Sequence, residues 1–462
     1  MLVTKILFVI LQHDGRGVRF VPTLDTSSFI VTMKINLTSF LSAILAVSII
    51  LTSCSKHETA NPIDAVGADA DAVVVANPKE FYDVLLKLSD NNLSDDIQKV
   101  KGLSLDRMAA AYYKKLGKNA FLFMAVEDRG ELEKSLSSLG FEKQNADAYT
   151  IFLDEQRAIG FAVDEDYLRA VPASSFDEVA AMADSVIKLA SVPLPQWKRD
   201  ILENIKSLAA VSNIGDTDAS LNVELSGSKA FIKLCNHDSK VGQAVNWLPA
   251  ASYEHIGSWV SGVNNNALFA FAVAKCDFSP IIMPVGRFFD HGLSRTEVSM
   301  ASAMLSGPLY GDISVDGDAI TDFDKISANI TLISSSPVIA STMVKGIGRE
   351  LKDNMIPCQV SGSSFSAEFD GAEFYGTAEG DKVAIHTRYQ SKSSAVNPTE
   401  LAECIAWISF DIPKKIIANL TAHDDFGLKG NVHVKDSVIE AEIEFTGTDD
   451  SFMSNISKIL NR

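Results

Sequence analysis

The chain has 462 residues, 41 basic against 59 acidic side chains, and a formal net charge of −18 at pH 7. That excess of carboxylates excludes a phosphate-backbone binder, which needs clustered Lys and Arg, and offers no attraction to anionic lipid. An apolar content of 47% excludes global disorder, and the length suits two domains or one elongated repeat.

Taken in chain order, Met1 to Thr32 reads as an apolar fragment (Ile6–Leu11) followed by Asp14-Gly15-Arg16-Gly17 and a polar stretch. Met33-Lys34 opens a second, positive start, and Leu37–Leu51 is a run of apolar and small residues leading to Cys54. That run falls short of the roughly 20 residues that span a bilayer, and Thr38, Ser39, Ser42 and Ser48 dilute it. The layout is that of a secretory signal, and Leu51-Thr52-Ser53-Cys54 resembles the lipobox of bacterial lipoproteins. The resemblance implies cleavage before Cys54, a thioether-linked diacylglycerol on its sulfur and acylation of its new amino group. Residues 1–32 are then an extension upstream of the true initiator, 33–53 a signal peptide and 54–66 a flexible tether. Residues 1–53 hold Lys5, Arg16, Arg19 and Lys34 against Asp14 and Asp25, so their removal takes the net charge from −18 to −20. Ser55, where many lipoproteins retained at the inner membrane carry aspartate, implies an outer-membrane address. Lys56-His57-Glu58 supplies one acid, which leaves the periplasmic and cell-surface faces both open.

Beyond the tether, Val73-Val74-Val75 predicts a buried strand. Asn77-Pro78 predicts a helix cap with proline in the first turn, and Glu80 completes a capping-box pattern. Phe81, Val84, Leu85 and Leu88 follow at helical spacing. Pro62-Ile63-Asp64-Ala65 with this strand–Asn-Pro–helix opening resembles a family of uncharacterised envelope lipoproteins of unknown function. The likeness covers Pro62 to Leu88 and implies a topology for the opening unit, with Phe81 in place of the family's leucine.

Helices are expected at Leu93–Val100 and Leu105–Leu116, a strand at Phe121–Val126, and a helix at Gly130–Leu139. Tyr149–Leu153 and Ala158–Val163 predict a hairpin, helices follow at Phe176–Leu189 and Gln196–Leu208, and Leu221–Leu225 with Ala230–Leu234 predict a second hairpin. The second half repeats this grammar. Ala267–Val273 and Cys404–Phe410 precede proline-bearing helix starts at Pro280 and Pro413, and Val432–Val434 with Ile439–Phe445 predict a hairpin followed by a helix at Ser451–Leu460. Ile313–Val315, Ile326–Leu332, Phe365–Phe369 and Val383–His386 add strands. The expected fold is α+β: two related domains of antiparallel sheet, 67–250 and 251–462, built of strand–Pro–helix and hairpin–helix units by degenerate internal duplication.

The motifs that could carry chemistry are incomplete. Asp425-Phe426-Gly427 lacks a glycine-rich loop and a catalytic His-Arg-Asp, and Ser185-Val186-Ile187-Lys188 lacks Lys-Thr-Gly, with Ser89-Asp90-Asn91 on the wrong side of it. Gly346-Ile347-Gly348 lacks the third glycine of a dinucleotide fold. Cys235-Asn236-His237-Asp238 is too few ligands for zinc, and Asp316, Asp318, Asp322 and Asp324 miss the spacing of a calcium loop. Cys235, Cys276, Cys358 and Cys404 form no CxxC pair; disulfides and buried thiols both remain open. Trp197, Trp247 and Trp259 are candidate sugar platforms, whereas Trp407 in an apolar strand reads as core.

Cys54 is thus the one assigned site, as the lipidation site. No catalytic, metal or cofactor site is assigned, and the expectation is a non-catalytic binding or scaffold module held at the membrane by its lipid, with an envelope protein or glycan as partner and no nucleic acid. The alternatives are a glycan-binding component of an outer-membrane uptake system, or an enzyme without a recognisable motif.

Overall fold

The computed structural model describes residues 60–80, 100–116, 120–156, 158–213, 218–237, 256–258, 260–264, 267–274, 308–315, 325–353, 355–369, 371–390, 399, 401–421, 426–435 and 437–460. The signal, Cys54 and Ser55 lie outside them. The described residues form an α+β fold dominated by antiparallel strands. They group into two compact units, one of 29–238 with 449–462 and one of 239–448.

The first unit holds β1 (Ala72–Ala76), β2 (Leu103–Tyr112), β3 (Ala120–Val126), β4 (Glu142–Asn145), β5 (Thr150–Asp154), β6 (Ile159–Val163), β7 (Tyr167–Pro172), β8 (Leu208–Asn213), β9 (Asp218–Ser226) and β10 (Lys229–Asn236). All pairings are antiparallel, in the order 4-5-6-7-3-2-1-8-9-10. The valine run makes β1 as expected, and Asn77 ends it: its Oδ1 accepts the Lys79 N–H at 3.1 Å, and residues 78–80 are helical.

Helix α1 (Arg129–Ser138) starts where the Asp128 side chain accepts the Glu131 N–H at 2.9 Å. Ser175 caps α2 (Phe176–Ala190) through the Glu178 N–H, while Glu178 Oε2 reaches back to accept the Ser174 N–H. Pro195 precedes α3 (Gln196–Glu203). Val75, Phe121, Phe123 and Val211 pack beneath Val179 and Ala183 of α2 and Leu202 of α3. On the opposite face Leu122, Met124, Phe152 and Phe161 meet Leu132 and Leu136 of α1. Every residue of β3 is therefore buried, which is why its sequence is a continuous apolar run.

The helix expected at 105–116 is instead the strand β2. Leu105, Met108, Ala109 and Tyr112 satisfy helical spacing, and alanine favours helices. However, β2 lies between β1 and β3, where small Ala109–Ala111 side chains fit a sheet covered on both faces. The helix expected to run to Leu208 stops at Glu203, and Leu208 opens β8. Strands β4, β7 and β8 were not anticipated. The Leu93–Val100 helix falls outside the described residues except at Val100.

The second unit holds β11 (Phe269–Val273), β12 (Leu309–Val315), β13 (Ile326–Ile333), β14 (Cys358–Ser361), β15 (Ser364–Phe369), β16 (Ala372–Glu379), β17 (Lys382–Thr387), β18 (Ala406–Ile412), β19 (Gly427–Lys435) and β20 (Val438–Thr446). Their order is 14-15-16-17-13-12-11-18-19-20, all antiparallel. This is the order of the first unit with ten added to each strand number.

Helix α4 (Pro337–Asp353) follows the third strand of its unit, as α1 does. Ala340, Val344 and Ile347 of α4 bury Ile330, Leu332, Phe365, Val383 and Ile385. Gly348, inside this helix, has a structural reason: a Cβ there would meet Val360 Cγ2 at 2.5 Å and Phe365 Cβ at 3.3 Å. Helix α5 (Lys414–Thr421) begins after Pro413 as expected, and α6 (Phe452–Leu460) follows β20. Helix α6 groups with the first unit, where the Phe452 N–H donates to Gly227 O at 2.7 Å. The helix at Pro280 falls outside the described residues; α4, β14 and β16 were not anticipated.

Candidate binding groove

The two units treat equivalent sheet faces differently. In the first, the face under α2 and α3 presents a row of registered neighbours that runs Val75, Ala109, Phe123, Arg169, Ala162 and Ile151. In the second, the corresponding face lies with Ile256, Val260 and Val263, which cover Ala270, Ala272 and Trp407 near β11. Away from that cover, one register row reads Asp312, Asn329, His386, Tyr375, Ser366 and Gln359 across β12, β13, β17, β16, β15 and β14. The link from β7 to β8 (173–207) carries α2 and α3, whereas the link from β17 to β18 (388–405) holds no helix among its described residues.

A groove of about 490 Å³ lies on this face; its lining includes Asn329, Thr331, Tyr375, His386, Arg388 and Gln390 together with the apolar Ile330, Ala384 and Ile385. The Tyr375 and His386 rings are stacked, with centroids 5.6 Å apart and planes 22° from parallel. Arg388 donates to Glu373 Oε1 at 2.6 Å, and the Tyr375 hydroxyl donates to Glu373 Oε2. These two bonds hold the Glu373 carboxyl below its ordinary range and, through the same carboxylate, push the Tyr375 phenol upward. The Gln390 amide donates to Thr387 O at 2.7 Å, which fixes that side chain at the groove's end.

Beside the groove, Asp312 is 2% exposed. Its Oδ2 accepts the Asn264 N–H at 3.1 Å, and the Asn264 amide donates to Ser314 Oγ at 3.1 Å. Burial raises the Asp312 pKa above 3.8, and the Asn264 N–H and Asn329 amide pull part of that rise back. A carboxyl whose pKa is raised by folding stabilises the fold most below the unfolded value, and loses that contribution as pH rises through the folded value. Asp312→Asn is therefore expected to raise the thermal midpoint at neutral pH and to leave it unchanged well below pH 3.8, as read by melting curves across pH.

Among the described residues, the motifs singled out in the sequence are not brought together. Ser185 sits on α2 with its hydroxyl donating to Ala181 O, and Gly346 and Gly348 lie inside α4. Phe426 is core, Gly427 opens β19, and residues 422–425 lie outside the described set, as do Ser89, Asp90, Asn91, Asp238, Asp316, Asp318, Asp322 and Asp324. Cys235, Cys358 and Cys404 are free thiols; burial pushes Cys358 and Cys404 upward, away from thiolate reactivity. Cys276 lies outside the described residues. No cluster of three or more metal-ligating side chains occurs among the described residues.

Of the tryptophans, Trp407 is core and donates to Asn431 Oδ1 at 2.7 Å, as its strand implied. Trp197 packs on the His237 ring at 5.1 Å, and Trp247 and Trp259 lie outside the described residues. His237 Nε2 and Ser220 Oγ are 2.7 Å apart, the spacing of a nucleophile and its base. Yet Ser220 is 3% exposed in mid-ladder, registered with Val211 and Cys235, so a substrate carbonyl has no approach to it.

No protein-family model matches the chain, and no curated relative matches it. Among solved structures the chain is similar to crystal forms of TP0453. Form III is 12% identical with a TM-score of 0.32, covering 46% of this chain and 90% of that one. Form IV is 12% identical at 0.30, covering 38% and 81%, and form I is 11% identical at 0.24, covering 75% and 96%. Likenesses at these TM-scores carry no argument about fold or function.

Proposed function

We propose that this chain is a lipid-anchored envelope lipoprotein, non-catalytic, whose second unit is its binding unit. The carrying observation is the contrast between equivalent faces: apolar and covered by two helices in the first unit, polar and grooved in the second. Among the described residues, the grooved face presents a stacked ring pair and convergent polar groups, the usual make-up of a binding site. We take the units as products of a degenerate internal duplication, supported by their common strand order and by a helix after the third strand of each. In that view the first copy keeps the covered form and serves as scaffold, while the second has exchanged apolar for polar residues on one face. The lipobox-like segment places the lipid on Cys54, and Ser55 favours the outer membrane. No metal or other cofactor enters the proposal.

Oxidative footprinting tests the binding half. In the native envelope Tyr375 and His386 should be protected relative to the purified full chain, while Met355, 92% exposed, should be oxidised equally in both. Equal oxidation of Tyr375 and His386 in the two settings would sink the binding reading.

A further inference from the structure

We infer that the groove on β13, β16 and β17 takes a neutral oligosaccharide lying across the strands. This rests on the reading of the second unit as the binding unit and names its ligand class. Three observations carry it. The first is charge: Arg388, the cation lining the groove, is paired at 2.6 Å with Glu373, so the site offers no uncompensated cation to an anionic ligand. The chain's −18 net charge adds long-range repulsion against polyanions.

The second is the kind of group present. The half-buried Tyr375 ring, backed by the stacked His386 ring, supplies a flat apolar platform for the C–H face of a sugar ring. Around it stand Asn329, Thr331, Gln390 and Arg388, whose amide, hydroxyl and guanidinium groups match a ring's hydroxyls as donors and acceptors. Gln390, with its Nε2 bonded to Thr387 O, keeps its Oε1 as an acceptor.

The third is repetition. Asn329, His386, Tyr375, Ser366 and Gln359 are registered neighbours on five successive strands. Strands are spaced roughly 4.8 Å apart, comparable to the advance per residue of an extended sugar chain. A linear oligosaccharide running perpendicular to the strands thus meets a polar or aromatic side chain at each step. The row runs out to β14, the last strand of the order, so the ligand can extend past the sheet edge.

The test is titration calorimetry on the detergent-purified full chain with cello-, xylo-, malto- and chito-oligosaccharides. A galacturonate oligomer and an extended uncharged peptide serve as further arms. At least one neutral sugar should bind saturably. Tyr375→Ala should weaken it about tenfold through loss of the ring platform, while Tyr375→Phe, which keeps the ring, should stay within about threefold. Unchanged circular dichroism shows that both variants are folded. Absence of binding by every neutral sugar, or equal binding by the Tyr375→Ala variant, overturns the inference. Tyr375-dependent binding of the galacturonate or the peptide alone also overturns it but leaves the binding-unit reading standing. Unprotected Tyr375 and His386 in the envelope footprint bring down both.

Discussion

Phe123→Ala is expected to destabilise the first unit by about 3–5 kcal/mol. Phe123 is 0% exposed at the centre of β3, registered between Ala109 of β2 and Arg169 of β7. Alanine neighbours on that face cannot expand to fill the space, so the cavity persists and its cost adds to the lost transfer energy. Chemical denaturation reads the effect as a lowered midpoint. The control is Phe231→Ala on β10, where the residue is 38% exposed and the loss should be about 1–2 kcal/mol. Equal effects at the two positions would mean that the face under α2 and α3 is not the core it is described to be.

Arg169→Ala is expected to cost about 3 kcal/mol by breaking a buried ion pair. Arg169 lies 6% exposed in the same apolar row, donates to Asp164, and packs its guanidinium over the Tyr167 ring at 5.3 Å. Removing it leaves Asp164 with only the Asp166 and Tyr167 N–H groups as compensation, at 2.9 and 2.7 Å. Arg169→Met should lose less, because a methionine fills the row with apolar volume, though the Asp164 charge still loses its partner. Denaturation of the pair of variants checks the order; equal losses would show that charge, not packing, dominates at this site, and a methionine variant weaker than the alanine one would show that the row does not accept its volume.

Some of this architecture was legible in the sequence and some was not, for identifiable reasons. The hairpins β5–β6, β9–β10 and β19–β20 announced themselves through β-branched and aromatic runs and, at Ser226-Gly227-Ser228, a glycine at φ 57° that the turn requires. Strand β2 did not, since its alanines obey helix propensity and only a sheet covered on both faces selects them as a strand. Helix α4 carried a readable Ser336-Pro337 start, with the Ser336 hydroxyl accepting the Ile339 N–H at 3.3 Å. Gly346 and Gly348 obscured it, because glycine reads as a helix breaker when its neighbour across the packing interface, here Val360, is unknown. The groove was hidden more deeply. Its residues come from β13, β16, β17 and the turn after β17, and within each strand the polar positions read as ordinary solvent-facing alternation. Tryptophan is the usual sugar platform, but Trp407 is core as its strand implied, and the aromatic surface at the groove is Tyr375 with His386. What no single strand shows is register, and register is what assembles Asp312, Asn329, His386 and Tyr375 into one row.

In the proposed function, what would hold the chain at a membrane is a lipid on Cys54. The acidic body gives no electrostatic help in holding anionic lipid, and a single acyl chain anchors only marginally, so stable attachment requires the multiple chains of a mature lipoprotein. Metabolic labelling with an alkyne fatty acid, followed by membrane fractionation, tests it directly. The wild-type chain should be labelled and sediment with the membrane, and Cys54→Ala should be unlabelled. Labelling that persists in Cys54→Ala, or a wild-type chain that takes up no label, would contradict the account.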